Sequence, residues 1–223
     1  MTRSELVDDL AERIGRVKSD HPTRVAIDGV DAAGKTMLAD DLATALAKSG
    51  RHIIRASIDG FHNPASIRRQ RGSLSPDGYF YDSFNLNGLR ESLLRPLGPN
   101  GSRAFTRAIF DFRADRAVDS PVELASDDDI LILDGVFLLR NELRDDFDFS
   151  IFVRAGFDVT LARAEVRDID LFGSVENIRQ RYVERYIPGQ RLYLESVRPE
   201  THASVVVDNN DPLRPEIAVE SCR

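Results

Sequence analysis

A three-layer α/β fold, with helices on both sides of a central, mostly parallel sheet of about five strands, is the architecture this sequence predicts. Short β-branched runs alternate with segments of helical periodicity along most of the 223 residues, the pattern of crossover-connected strands. The strongest apolar run, "DDILILDGVFLL" (128–139), lacks the polar alternation of a half-exposed strand and so predicts burial on both faces, as in parallel sheets. A glycine-rich segment joins the first predicted strand to the next helix, where such folds bind ligands.

Leu6, Leu10, Ile14 and Val17 recur at three- and four-residue spacing, predicting an amphipathic helix over 4–19. "TRVAIDG" (23–29) reads as strand one, and "AGKTMLADDLATALAKSG" (33–50) as a helix stopped at Gly50. "HIIRASI" (52–58) predicts strand two. Residues 60–82, rich in Gly, Pro, Ser and Arg, read as a long loop with room for one helical turn. A helix is expected over 84–98 and an extended hairpin region over 103–112. After the long buried strand, "DFSIFVRA" (148–155) is another strand, and 158–172 and 175–187 are charged helices broken near Gly173. "ASVVVDN" (203–209) is the last strand. With no repeat, low-complexity tract or linker, the expectation is a single domain over 1–223 carrying a helical lid at about 156–200.

Composition excludes several function classes. With 42% hydrophobic and 30% charged residues the chain reads as a soluble globular protein. A net charge of −7 argues against a phosphate-tracking nucleic-acid surface. The single cysteine, Cys222, cannot form an internal disulfide, which fits a reducing compartment. The charged N-terminal stretch lacks the apolar core of a signal peptide, and no apolar run reaches bilayer-spanning length. Cytoplasmic location without membrane contact is therefore expected. All but Lys18, Lys35 and Lys48 of the 30 basic residues are arginine, so a lysine inside a glycine-rich loop carries extra weight.

That loop, "GVDAAGKT" (29–36), matches G-x-x-x-x-G-K-[ST] at Gly29, Gly34, Lys35 and Thr36. Roughly one chain of this length in a hundred would carry the pattern by chance, and the strand-before, helix-after context is what the motif requires. Its backbone N–H groups can cradle phosphate oxygens at the positive end of the following helix. Lys35 would reach the β- and γ-phosphates and the Thr36 hydroxyl would coordinate Mg²⁺. The candidate ATP-binding set is Gly29, Asp31, Ala32, Ala33, Gly34, Lys35, Thr36 and Met37. Two carboxylates end other predicted strands in Asp-Gly pairs, Asp134 on the long strand and Asp59 on strand two. If these strands neighbour strand one, Asp134 joins Thr36 at the metal, and Asp59 can take a proton from an attacking hydroxyl. Asp28, which ends strand one, is open to orienting the loop or the metal, with a turn role favoured.

"GVDAAGKT", "SIDGFH", "FDF", "ILILDGVFLL" and "LARAEVRD" occur in the order found in the uridine kinase/phosphoribulokinase-like family of P-loop kinases, which the chain resembles over about 23–210. The resemblance implies a P-loop NTPase fold and small-molecule kinase chemistry with ATP and Mg²⁺ as cofactors. It implies that Asp59 is the acceptor-side base, with Phe61 and His62 lining the acceptor pocket. The family's lid motif R-x-x-x-R-D maps onto Arg163, Arg167 and Asp168, whose arginines share a helix face and would balance charge on the transferred group. Tyr79, Phe110, Asp111 and Arg191 complete the implied substrate-binding set, with Tyr193 an alternative to core packing. Departures bear on the acceptor. "FDFRAD" (110–115) puts Phe110 and Asp115 where uridine kinases have a base-contacting Tyr and His, and their second acceptor Asp gives way near Tyr79.

The expectation is thus an ATP- and Mg²⁺-dependent phosphotransferase whose partners are a nucleoside triphosphate and a small hydroxyl-bearing metabolite. A nucleoside leads the candidates, and sugars, pantothenate and other ribosides follow. ATP against GTP, the oligomeric state (a homo-oligomer included) and any contact of Arg68, Arg69 and Arg71 with an anionic acceptor stay open. A nucleotide-gated switch is the rival from another class, but "DNND" (208–211) lacks the Lys of a guanine-reading N-K-x-D motif. A non-catalytic nucleotide-binding module is disfavoured by the joint presence of Lys35, Thr36, Asp59 and Asp134.

Overall fold

The computed structural model describes residues 1–220; Cys222 lies outside them. Helix α1 (Arg3–Gly15) opens on a capping box between Thr2 and Glu5 and leads to β1 (Thr23–Gly29), α2 (Lys35–Ala47) and β2 (Ile53–Ser57). The segment expected to be mostly loop holds a tight turn at Ile58–Phe61 and two helices, α3 (Ala65–Arg68) and α4 (Pro76–Asp82). Ser75 caps α4 by accepting from the Gly78 N–H, with Pro76 in the first turn. Proline and serine, read as loop markers, are here helix starters.

The expected helix at 84–98 is the short α5 (Leu86–Leu89) continued by a π-helical turn. Two small hairpin sheets follow, β3 (Ala104–Phe105) and β4 (Phe110–Asp111) pairing with β6 (Glu123–Leu124) and β5 (Arg116–Ala117) respectively. Then come β7 (Ile130–Gly135), β8 (Phe149–Arg154), α6 (Phe157–Arg167), α7 (Ile169–Phe172) and α8 (Val175–Arg181). Gly173 closes α7 at φ 81°, the break expected there. Beyond α8 a π-helical turn, Tyr182–Tyr186, carries the chain into α9 (Ile187–Val197). The helix thus outruns its expected end, because Pro188 falls in a first turn where no N–H is needed. Strands β9 (Val205–Asp208) and β10 (Glu216–Glu220) finish the described chain.

The main sheet runs β10-β9-β8-β1-β7-β2, parallel throughout except for β10. About five strands were expected; the sixth is the short antiparallel edge strand β10. Alternation within the buried strands sorts the core into two faces. Val25, Ile27, Ile130, Ile132, Ile151, Val153, Val205 and Val207 pack with Leu10 and Ile14 of α1 and Leu38 and Leu42 of α2. Ala26, Leu131, Leu133, Phe152 and Val206 point to the other face, under Tyr79, Phe80, Leu89 and Tyr193. A third cluster, Ala32, Ala164, Ile178 and Tyr182, packs the phosphate loop against the segment expected as a lid. No helix of the described residues is long and apolar enough to cross a membrane.

Candidate active site

Parallel pairing of β1 with β7, and of β7 with β2, brings the ends of all three strands to one edge of the sheet. The phosphate loop between β1 and α2 turns on Gly34 at φ 98°, where a Cβ would meet the Asn209 amide nitrogen at 2.5 Å. Asn209, 4% exposed, donates from Nδ2 to the Ala33 carbonyl at 2.7 Å, and its buried Oδ1 takes no hydrogen bond. It lies in the "DNND" stretch, read in the sequence only for a base-recognition motif. Lys35, 9% exposed, donates Nζ to the Val30 carbonyl at 2.7 Å. Burial pushes its ammonium below the usual lysine range, opposed by Asp31, Asp28 and Asp134. Met37 is 62% exposed on the first turn of α2.

Thr36 Oγ1 donates to Asp134 Oδ2 at 2.7 Å, so hydroxyl and carboxylate stand together as the metal reading requires. Asp134 is buried, and its Oδ1 accepts from Arg55 Nη2 at 3.1 Å. Arg55, unnoticed in the sequence, also reaches Asp40 of α2 and the Ile132 carbonyl. Asp28 is fully buried and accepts from the Gly29 and Leu139 amides at 2.8 and 3.2 Å and from the Tyr193 hydroxyl. Burial raises its carboxyl, against the pull of those donors. Tyr193 therefore ties α9 to the end of β1 rather than lining a pocket.

Asp59 follows β2 in the tight turn, with 59% of its side chain open to solvent. Desolvation raises its pKa above the usual range, tempered by that exposure. Asp31 and Asp134 push the same way, while His62 and Lys35 oppose. Gly60 is required because a Cβ would come within 2.7 Å of Ala108 Cβ, and the Ile109 amide donates to its carbonyl at 2.8 Å. The hairpin is thereby held against the turn. His62 Nδ1 lies 3.0 Å from the Asp59 carbonyl, so that nitrogen carries the hydrogen. Burial lowers the His62 pKa, and Nε2 is left as an acceptor. The ring sits between Phe84 at 4.5 Å and Phe112 at 4.9 Å, the latter absent from the expected set.

Several expected acceptor residues serve other ends. Phe61 is fully buried in the core, so only His62 of that pair lines the cleft. Phe110, 8% exposed, pairs with Ala117 in the hairpin. Asp111 Oδ1 caps the hairpin turn, accepting from the Arg113 and Ala114 amides at 2.9 and 3.0 Å, and these bonds hold its carboxyl low. Asp115 Oδ1 accepts from the Ala65 amide at the start of α3 and from Arg68 Nη2, at 2.9 and 2.8 Å. Arg71 pairs with Asp82. Tyr79 is buried and donates its hydroxyl to Asp31 Oδ2 at 2.6 Å. Arg191 is exposed over the Phe157 ring at 5.6 Å, while its neighbour Gln190 faces inward and donates to Asp31.

The two arginines of α6 share a face but meet different neighbours. Arg163 Nη2 donates to the carbonyls of Asn209 and Asn210 at 2.8 and 3.0 Å, beside the phosphate loop. Arg167 pairs with Asp168, with the Tyr182 hydroxyl nearby, and its side chain is 56% exposed. It lies close enough to Lys35 for its charge to lower the lysine pKa. Of the pair, Arg167 is the more exposed, held by two hydrogen bonds to Asp168.

Residues 25–211 match the model of the phosphoribulokinase/uridine kinase family. Among curated relatives, uridine-cytidine kinase B of Dictyostelium discoideum is 26% identical over 191 residues, covering 85% of this chain and 75% of its own. A solved structure described as a possible uridine kinase from Bacillus stearothermophilus superposes with a TM-score of 0.71 at 24% identity, covering 91% of this chain and 97% of that one. A provisionally assigned fructose transport system kinase from Silicibacter gives a TM-score of 0.72 at 23% identity over 88% and 95%. The two structural likenesses establish the fold.

Proposed function

The chain belongs to the phosphoribulokinase/uridine kinase family, and on that premise we propose that it transfers the γ-phosphoryl group of Mg²⁺-ATP to a hydroxyl of a small metabolite. The reading is carried by Lys35 at the start of α2, Asp59 in the turn after β2 and Asp134 in β7, which lie at one edge of the sheet and feel one another's charge. Loop amides and Lys35 hold the donor phosphates. Asp59 accepts the proton of the acceptor hydroxyl as its oxygen bonds to the γ-phosphorus and the bond to ADP breaks. Its carboxylate is open to solvent, where an acceptor hydroxyl can reach it. Arg167 offsets charge on the transferred group from the lid.

Thr36 and Asp134 would hold Mg²⁺, and their hydroxyl and carboxylate oxygens suit that hard cation. No cluster of three or more His, Cys, Asp or Glu forms a metal cage among the described residues. The site would thus suit an ion that takes few ligands from the protein, the usual habit of Mg²⁺. When bound, the ion would neutralise charge on the donor phosphates.

Nucleosides and sugars are the acceptor classes to test. Asp115, at the position of the uridine kinases' base-contacting His, is spent on Arg68 and α3, which favours a sugar over a pyrimidine nucleoside. Incubation with γ-labelled ATP and uridine, cytidine, D-ribose, D-fructose or pantothenate tests the proposal. Label is expected in one organic product; label released only as phosphate, at a rate no acceptor changes, overturns it.

A further inference from the structure

Asp31 belongs to the phosphate loop by sequence, yet its carboxylate bonds to nothing in that loop. Oδ2 accepts from the Tyr79 hydroxyl of α4 and from Gln190 Nε2 of α9, both at 2.6 Å. Gln190 Oε1 in turn accepts from the Asp31 amide at 3.3 Å. The partners are 6% and 1% exposed, so the carboxylate is fixed by buried donors on two helices. Oδ1 takes no hydrogen bond among the described residues, and Asp31 itself is only partly buried.

The same side chain stands where three parts of the cleft meet. Its charge perturbs Lys35 in the phosphate loop, Asp59 and His62 on the acceptor side, and Arg167 and Tyr182 in the lid segment. A direct ion pair with Lys35 does not explain it, because Lys35 Nζ donates to Val30 and forms no ion pair within 4.0 Å among the described residues. Holding the cation does not explain it either, since the hydroxyl–carboxylate pair suited to that task is Thr36 with Asp134. A carboxylate beside an arriving triphosphate opposes it by like-charge repulsion, so its place in the cleft calls for another role, and its free oxygen can accept from a hydroxyl.

We infer that Asp31 is a specificity-determining residue whose Oδ1 accepts a hydrogen bond from a second hydroxyl of the phosphoryl acceptor, while Asp59 receives the reacting one. The acceptor is then a polyhydroxyl metabolite, a sugar or ribose ring rather than a mono-alcohol. Tyr79 and Gln190 act as positioning residues that hold the carboxylate toward the acceptor. The inference rests on the kinase reading above.

The test uses Asp31→Asn in the full chain, with Asp31→Ser repeating the series should the asparagine variant be recovered unfolded. Steady-state kinetics are measured with whichever of uridine, cytidine, D-ribose or D-fructose the wild type phosphorylates, and with its mono-deoxy analogues. Mg²⁺-ADP affinity is measured by titration calorimetry. The acceptor KM should rise tenfold or more with kcat within threefold, and the ADP Kd should stay within threefold. For the deoxy analogue lacking the second hydroxyl, wild type and variant should have the same KM. An unchanged acceptor KM, or a tenfold change confined to the ADP Kd, overturns the inference and leaves the kinase reading standing. A wild type that phosphorylates neither these four nor pantothenate, and releases label only as phosphate, overturns both.

Discussion

Thr36 and Asp134 lie 98 positions apart in the chain and meet at 2.7 Å, the hydroxyl of α2 donating to the carboxylate at the end of β7. The contact exists because β7 pairs with β1 in parallel register, Ile27 opposite Asp134, so the strand carrying the acid ends level with the one entering the phosphate loop. Arg55, from β2 on the far side of β7, takes the other carboxylate oxygen.

Arg55→Met removes the cationic partner of a carboxylate that is 4% exposed. Because Arg55 is itself 23% exposed, a moderate loss of about 2 kcal/mol in unfolding free energy is expected, the worth of a hydrogen bond to a charged group. Urea denaturation measures it. Titration of ADP with and without Mg²⁺ should show the metal's contribution reduced and metal-free binding unchanged.

Tyr193→Phe leaves buried Asp28 with two amide donors in place of three. A loss of about 1–3 kcal/mol is expected for one buried hydrogen bond to the carboxyl, since each oxygen keeps an amide donor. Urea denaturation should show a lower midpoint at unchanged m-value, since the compact state is preserved.

Arg163→Ala and Arg167→Ala should separate. Arg163 binds backbone carbonyls next to the phosphate loop, so its loss should weaken nucleotide binding with little effect on kcat. Arg167 is half exposed beside the cleft, and its loss should lower kcat by about 10²-fold, the scale of one preorganised donor to transition-state charge. Steady-state kinetics with varied ATP distinguish the two; equal effects on KM and kcat would refute the division.

The buried strands and the phosphate loop were legible because each rests on local pattern: uninterrupted apolar runs, and glycines at fixed spacing before Lys35 and Thr36. The resemblance carried the reading further, to Asp59 and the α6 arginines, whose shared face follows from spacing alone. What escaped was whatever depends on pairing across the fold. Tyr79 and Arg191 sit in segments that resemble the acceptor region, yet side-chain direction sends one hydroxyl to Asp31 and the other residue out to Phe157. Asp111, expected as a ligand, also caps its own turn through Oδ1. Arg55 and Asn209 had no motif to announce them, because their partners, Asp134 and Ala33, are distant in sequence.

The acid limb of the pH–rate profile should report Asp59. A general base works as the carboxylate, and desolvation with like-charged neighbours raises its pKa. Activity should therefore fall through a midpoint above the ordinary aspartate value of about 3.9. Asp31→Asn removes one of the charges that raise Asp59, so the limb should move to lower pH. A midpoint that stays put on that substitution would contradict the coupling.

Phosphoryl transfer by Asp59→Asn, set beside its ATP affinity, tests the central claim most directly. With the acceptor found for the wild type and γ-labelled Mg²⁺-ATP, the variant should lose at least about 10²-fold in kcat, the lower end expected of a general base. Its ATP Kd should stay within about threefold, because Asp59 ends β2 and not the phosphate loop. Wild-type turnover by the variant, or a loss explained entirely by weaker ATP binding, would contradict the assignment of Asp59 as the base.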